Sequence, residues 1–242
     1  FVANTHDTLL CFSSYGKVYW IKVYRLPRGG RNAKGRPIVN LLPLEKDERI
    51  QAVLPVKEFN DDQFIFMATE SGSVKKTKLS AYSRPMKSGI KAIKLREGDR
   101  VVNAEITDGS KEIMLFSDSG KSIRFKETDA RPMGRVSQGV RGMRIEKDQT
   151  IISLVVLEEG NILVATENGY GKQTLADEFS TQKRGGKGVI AIQTSKRNGN
   201  LIGANQVSTG DEVMFISTSG NLIRTRTEDI SVIGRNTQGV RL

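Results

Sequence analysis

The stretch Glu112–Glu127 reads EIMLFSDSGKSIRFKE, and its pattern decides the fold. An apolar run, Ile113 to Phe116, leads through Ser117-Asp118-Ser119 to Gly120, and a second run then alternates polar and apolar side chains from Lys121 to Lys126. Alternation with period two is the mark of a strand with two different faces. A residue–glycine pair between two such runs supplies the positive φ that a tight hairpin turn needs. Gly120-Lys121-Ser122 also has the ending of a phosphate-binding loop, but such a loop needs glycine five residues earlier, where Leu115 stands. The stretch is therefore read as a β-hairpin.

Four further stretches align with it: LLCFSSYGKVYWIKV (Leu9–Val23), FIFMATESGSVKKTKL (Phe64–Leu79), NILVATENGYGKQTLA (Asn161–Ala176) and EVMFISTSGNLIRTRT (Glu212–Thr227). Their turn glycines, Gly16, Gly72, Gly120, Gly169 and Gly220, are spaced by 56, 48, 49 and 51 residues. A second glycine follows each, at Gly35, Gly89, Gly139, Gly188 and Gly239. That offset is 19 residues in four copies and 17 in the second. An extended stretch precedes the later hairpins (QAVLPV, VVNAEI, IISLVVL, LIGANQV), and another follows the second glycine region (PIVNLL, IKAIKL, VRGMRI, VIAIQT). Each repeat thus predicts four short strands, and helical character is expected only as a turn around TLADEF. Four strands recurring about every 50 residues is the signature of a propeller-type array. The expectation is an all-β chain forming one domain, 1–242, with repeats at about 1–45, 46–97, 98–147, 148–197 and 198–242.

Among 242 residues, 38 Lys and Arg face 27 Asp and Glu, a formal charge of +11 that points to a polyanionic partner. The single histidine, His6, removes most histidine-based catalytic and zinc arrangements. The single cysteine, Cys11, forbids an internal disulfide and sits in an apolar run, as a small buried hydrophobe would. No apolar run approaches the roughly 20 residues of a membrane span, and the first residues lack a signal-peptide pattern. These features predict a soluble intracellular protein.

The repeats also register the cations. Four and six residues after the turn glycine, on one face of the third strand, come Lys76 and Lys78, Arg124 and Lys126, and Arg224 and Arg226. The same positions hold Trp20 and Lys22 in the first repeat and Gln173 and Leu175 in the fourth. Four residues before the second glycine stand Arg31, Arg135, Arg184 and Arg235, with Pro85 the exception; two residues after it come Lys91, Arg141 and Arg241. If every blade presents the same strand and loop, these cations form a band at the edge of the array. Exposed strand edges also carry charge merely to prevent pairing, but that purpose is served by mixed signs. Aromatic residues make up only 6% of the chain, too few to stack single-stranded bases. Positive charge without stacking platforms suits the phosphates of duplex DNA, and a curved edge favours bending it.

The chain also carries QKRGGKG at Gln182–Gly188, with looser copies at RGGRNAKG (Arg28–Gly35), MGRVSQG (Met133–Gly139) and IGRNTQG (Ile233–Gly239). It resembles the C-terminal domains of the A subunits of bacterial DNA gyrase. The heptad is similar at all seven positions to the box motif of that family, Gln-(Arg/Lys)-Arg-Gly-Gly-(Arg/Lys)-Gly. VANTHDTLLCFSS, GRPIVNLLPLEKDERI, GVRGMRI, ATENGYGK, GVIAIQTSKRNG and ISVIGRNTQGV extend the likeness over essentially the whole chain. The resemblance implies a β-pinwheel, whose blades exchange strands with their neighbours, here about five blades of an expected six. In the family the box lies in the first blade, whereas here it falls in the fourth repeat. The expectation is a fragment lacking the first blade and whatever follows Leu242, with Gln182–Gly188 a copy of the repeat loop.

What the resemblance implies for function is a non-catalytic module that wraps duplex DNA in a positive-handed coil, so that the holoenzyme introduces negative supercoils using ATP. The DNA-facing residues are then Gln182, Lys183, Arg184, Gly185, Gly186, Lys187 and Gly188, with Arg28, Arg31, Lys34 and Arg36 of the first loop. The strand and loop cations Lys76, Lys78, Lys91, Arg124, Lys126, Arg135, Arg141, Arg224, Arg226, Arg235 and Arg241 complete the set. Partners would be the remainder of the gyrase A subunit, together with the gyrase B subunit, in an A2B2 holoenzyme, in the cytoplasm at the nucleoid, with no membrane. No cofactor is expected in this domain, ATP and magnesium acting elsewhere, and none of Tyr15, Tyr19, Tyr24, Tyr82 and Tyr170 has the helical, arginine-rich setting of the family's cleaving tyrosine. The competing readings are the corresponding domain of topoisomerase IV and a propeller scaffold that binds proteins on its faces.

Overall fold

A computed structural model describes residues 2–30 and 32–242. Among them the chain is all β, with five antiparallel sheets and short 3-10 turns. The five hairpins fall where the glycine pattern puts them: Thr8–Ser13 with Lys17–Lys22, Phe64–Thr69 with Ser73–Lys78, Glu112–Ser117 with Lys121–Lys126, Asn161–Thr166 with Tyr170–Leu175, and Glu212–Ile216 with Leu222–Arg226. All ten repeat glycines have φ between 68° and 86°.

The chain divides into two compact units, Phe1–Ser110 with Ala130–Val140, and Lys111–Asp129 with Arg141–Leu242. In the first unit, the hairpin from Thr8 is flanked by Ile50–Val56 on one side and the two-residue strand Ile90–Lys91 on the other. The hairpin from Phe64 is flanked by Val101–Thr107 and by the two-residue strand that starts at Val140. In the second unit, the hairpin from Glu112 takes Ile151–Leu157 and Val189–Ile190, and the hairpin from Asn161 takes Leu201–Val207 and Val240–Arg241. The hairpin from Glu212 forms a two-stranded sheet.

Both outer strands of each four-stranded sheet therefore come from the repeat after the one that supplies its hairpin. The pattern of four strands is right, but the expected boundaries group strands that lie in different sheets. Two details of the fourth strand are also corrected. It is two residues long, not six, because only two residues pair with the preceding repeat's hairpin. In the first repeat, PIVNLL forms a 3-10 turn, Ile38–Asn40. Pro37 has no N–H to give a ladder, and the hairpin before this segment, from Thr8, takes its short strand from Ile90–Lys91. Helical turns are also more widespread than expected, one following each third strand: Val23–Arg25, Leu79–Tyr82, Glu127–Asp129, Ala176–Glu178 and Thr227–Asp229.

The cores explain why the first hairpin strand reads as continuously apolar. In Thr8–Ser13, Leu10 and Phe12 enter a cluster with Val18, Ile65, Met67 and Tyr82. Leu9 and Cys11, on the other face, enter a second one with Tyr19, Ile21 and Leu42. Cys11 is buried as expected, and loss of hydration pushes its thiol up to about 12. In the second unit Met114, Phe116, Val155, Ile162, Val164 and Phe179 pack together. The rings of Phe12 and Tyr82, and of Phe116 and Phe179, meet edge to face at 5.6 and 6.5 Å. In both pairs the residue four before a turn glycine meets the one ten after the next.

Gly188 shows what the second glycine does. Its φ is +73°, and a Cβ there would run into the Ser122 carbonyl oxygen of the paired strand. Gly35 has φ +70° but nothing near the same position. Gly188→Ala is expected to cost about 2 kcal/mol or more, and Gly35→Ala only about 1 kcal/mol, the cost of left-handed backbone alone. Urea denaturation of the two variants would show it; equal losses would mean that the Gly188 loop shifts freely.

Candidate nucleic-acid interface

The third strands fix where each repeat's cations point. The sixth residue after the turn glycine is exposed in every described repeat: Lys22, Lys78, Lys126, Leu175 and Arg226. The fourth is not. Trp20 is half-buried, and its indole N–H donates to the Tyr82 carbonyl at 2.9 Å. Arg124 donates from one guanidinium nitrogen to the carbonyls of Ala176 (2.8 Å) and Phe179 (3.2 Å), and pairs with Glu112. The Gln173 amide donates to the carbonyls of Thr227 (2.5 Å) and Ile230 (3.1 Å). In each case the acceptors lie in or directly after the 3-10 turn of the following repeat, ten residues after its turn glycine and, for Arg124 and Gln173, also seven. Lys76 is only 4% exposed, with its ammonium 5.0 Å from the Phe64 ring centre.

The expected face of paired cations is therefore corrected: Lys76 and Arg124 are withdrawn from the surface while Lys78 and Lys126 stay on it. Period-two alternation puts both positions on one face, but that face is covered at one end by the next repeat's turn. Backbone contacts mark the covering segment, with Lys76 bridging to Pro132, Arg124 to Thr181 and Gln173 to Val232. Arg224, at the same position in the fifth repeat, is exposed and pairs with Glu212 on its own hairpin. The Arg124 hydrogen bond is also the main influence holding the Glu112 carboxyl below its ordinary value.

The box-like loop is built by backbone anchors. The Gln182 N–H donates to the Arg124 carbonyl at 2.7 Å, the Gly185 N–H to the Gly142 carbonyl at 2.5 Å, and the Arg144 N–H to the Gly186 carbonyl at 2.8 Å. Gly185 turns the chain at φ +85°. Arg184 points inward along this frame: its Nε donates to the Asp129 carbonyl (2.8 Å) and a terminal nitrogen to the Arg141 carbonyl (3.0 Å). Arg235, in the equivalent place one repeat later, donates to the Ile190 carbonyl at 3.1 Å. The arginine four before the second glycine thus ties its loop to the short strand of the previous loop. Arg135 is half-buried at the same position, and Arg31 lies outside the described residues.

Lys183 and Lys187 stand on the exposed side of the box-like loop, and Lys91, Arg141 and Arg241 are exposed at the ends of the short strands. Arg28, Lys34 and Arg36 are exposed in the irregular segment after the first hairpin. Lys78 lies 3.7 Å from Asp61, an exposed pair of small energetic weight.

Two lysines escaped the sequence reading. Lys75 and Lys172, three residues after their turn glycines, are both 0% exposed. Lys75 Nζ donates to the Ala92 carbonyl (2.5 Å) and Thr77 Oγ1 (2.6 Å). Lys172 Nζ donates to the carbonyls of Gly234 (2.7 Å) and Arg235 (2.6 Å) and to Thr237 Oγ1 (3.0 Å). Burial lowers Lys75 to about 7 and Lys172 to about 8. The same register holds Tyr19, Ile123 and Ile223 in the other repeats, so alternation marks it only as an inward position.

The model of the DNA gyrase C-terminal domain, β-propeller, matches residues 7–57, 63–108, 111–158, 160–208 and 211–242. Each matched segment begins at a hairpin, and the first four end with the first outer strand of its sheet. The chain is 54% identical over all its 242 residues to the DNA gyrase A subunit of Salmonella typhimurium and 53% identical to that of Escherichia coli, spanning 28% of the length of each. Among solved structures, the C-terminal domain of DNA topoisomerase IV matches at TM-score 0.91 and a DNA gyrase A C-terminal domain at 0.84, both at 28% identity. These alignments cover 99% of this chain and 75% and 79% of the respective structures.

Proposed function

The chain belongs to the DNA gyrase C-terminal domain family, and on that premise we propose that it binds duplex DNA through its outward cations and bends the duplex along them. The observation that supports this reading is the recurrence of unburied cations at fixed places in the repeat. They are Lys78, Lys126 and Arg226 at the ends of the third strands, Lys91, Arg141 and Arg241 on the short strands, and Lys183 and Lys187 on the box-like loop. They hold no base-reading aromatic partners in common, so the contacts are to phosphates and indifferent to sequence. All five repeats act as one DNA-wrapping pinwheel domain, to which the irregular loop with Arg28, Lys34 and Arg36 adds its charge. It performs no chemistry itself. It serves a cytoplasmic gyrase holoenzyme, with the remainder of the A subunit, together with the B subunit, in ATP-driven negative supercoiling.

Separating the two kinds of cation tests the reading. Replacing Lys183 and Lys187 together with alanine is expected to leave the melting temperature unchanged and to reduce the log–log salt slope of duplex binding by about 1.8, or about 0.9 per phosphate contact. Arg184→Ala is expected to lower the melting temperature, because the Asp129 and Arg141 carbonyls lose their donor. An unchanged salt slope in the double variant would remove the loop from the DNA interface.

A further inference from the structure

We infer that Lys172 is the positioning residue of an anion-binding loop, Gly234–Thr237, whose outward backbone amide at Asn236 takes a phosphate oxygen of duplex DNA. The identity of the ligand rests on the duplex-DNA reading above; the loop's construction rests on its own geometry.

The Lys172 ammonium lies beneath the loop and draws two successive carbonyls inward, those of Gly234 and Arg235, while Thr237 Oγ1 accepts its third hydrogen bond. Thr237 in turn donates to the Gly234 carbonyl at 3.1 Å, closing the ring of contacts. A trans peptide is planar, with its N–H directed opposite to its C=O. Turning the carbonyls of 234 and 235 toward the lysine therefore turns the N–H groups of Arg235 and Asn236 away from it. The Arg235 N–H is taken by Glu178 Oε2 at 3.0 Å. Asn236 is exposed, its side-chain oxygen is held aside by Gln193 Nε2 at 3.0 Å, and among the described residues no acceptor takes its backbone amide. The Arg235 guanidinium, tied to the Ile190 carbonyl, adds a fixed charge beside it.

The ammonium also couples the site to pH. Burial is the main cause of its lowered pKa of about 8; among the charges that face it, Glu178 opposes the shift and Arg235 adds to it. A bound phosphate favours the charged lysine, so by linkage binding weakens as pH rises through that range. Folding responds in the opposite direction. A lysine whose folded pKa lies below its unfolded value of about 10.4 favours the folded state more as pH rises between the two. Loss of the Lys172 proton at pH 9.5 therefore does not itself favour unfolding. Lys75, facing Arg135, titrates in a neighbouring range and contributes its own share to the profile of the intact chain.

The test uses the whole chain with a mixed-sequence duplex at about pH 7 and about pH 9.5, and amide NMR with inorganic phosphate against chloride at equal ionic strength. Wild-type affinity is expected to fall about five- to tenfold with pH, the low end of the usual coupling between sites. Lys172→Met is expected to bind more weakly at pH 7 and to lose its share of the pH dependence. Phosphate, but not chloride, should move the Asn236 amide of the wild type and not that of Lys172→Met. A folded Lys172→Met with wild-type affinity and pH profile overturns the proposal, as does a wild-type Asn236 amide that phosphate does not move. Should Lys172→Met not fold, Thr237→Val removes one acceptor; an undiminished Asn236 response there also overturns it. If the wild type binds no duplex at any salt while phosphate still moves Asn236, the loop stands and the DNA reading falls.

Discussion

Duplex affinity is expected to fall roughly ten-thousand-fold between 50 and 200 mM salt, the consequence of about eight neutralised phosphates at a log–log slope of about −0.9 each. The eight are those nearest Lys78, Lys91, Lys126, Arg141, Arg226 and Arg241, exposed at recurring positions of the repeat, and nearest Lys183 and Lys187 of the box-like loop; Lys22, exposed at the register of Lys78, is left out because its ammonium donates to the His6 carbonyl. Lys76 and Arg124 are left out because their charges are covered by protein. The size of the slope is thus a count of which cations reach the DNA. Anisotropy titrations at four or five salt concentrations would measure it. A slope below about −2 in magnitude would mean that most of these side chains never meet a phosphate. A slope that varied strongly with duplex sequence would point to base readout in place of backbone contact.

Arg124→Met is expected to destabilise the chain by about 3–5 kcal/mol, because two turn carbonyls and a half-buried carboxylate lose their charged donor at about 1–3 kcal/mol each. The Arg124 side chain is 17% exposed and satisfies the carbonyls of Ala176 and Phe179 as well as the Glu112 carboxylate. Methionine fills much of the space but donates to none of them. At this chain length the loss corresponds to a melting point lower by about 10 °C, measurable by calorimetry. Arg224→Met provides the contrast. Arg224 has the same register, but its side chain is 66% exposed and pairs with Glu212 alone. It should cost below about 1 kcal/mol, as exposed pairs do. Equal losses at the two positions would refute the role assigned to the turn carbonyls.

The hairpins were legible because two local demands coincide in them. An apolar run is followed by an alternating one, and each turn between them needs a glycine at positive φ, as at Gly120 and Gly169. The covering of the third strand was not legible. Nothing in SIRFKE distinguishes Arg124 from Lys126, since the difference lies in a turn some 50 residues later that lands on one and misses the other. The same distance hid the partnership of outer strands: Ile50–Val56 is sequence-adjacent to the hairpin from Phe64 but pairs with the one from Thr8. Lys172 was hidden for a different reason. A buried lysine breaks the hydrophobic pattern and is readable only once its acceptors, Gly234 and Arg235, are seen above it. Of the box-like loop, the glycines and the outward lysines follow from the sequence. Arg184 does not, because an arginine that binds carbonyls and one that binds phosphates have the same spacing.

The borrowing of both outer strands from the following repeat has a consequence for cutting and splicing. The chain is modular as text but not as an object: no single repeat can be lifted out as a self-sufficient cassette. A cut at any sequence-repeat boundary leaves a hairpin without its two flanking strands, with the apolar residues they would cover turned to water. The hairpin from Glu212, which pairs with no outer strand among the described residues, has Met214, Ile216, Leu222 and Ile223 each more than half exposed. Shuffling or circular permutation of such an array would have to place its joints within a repeat, between a hairpin's first outer strand and the next hairpin, so that each sheet keeps the strand it takes next in sequence.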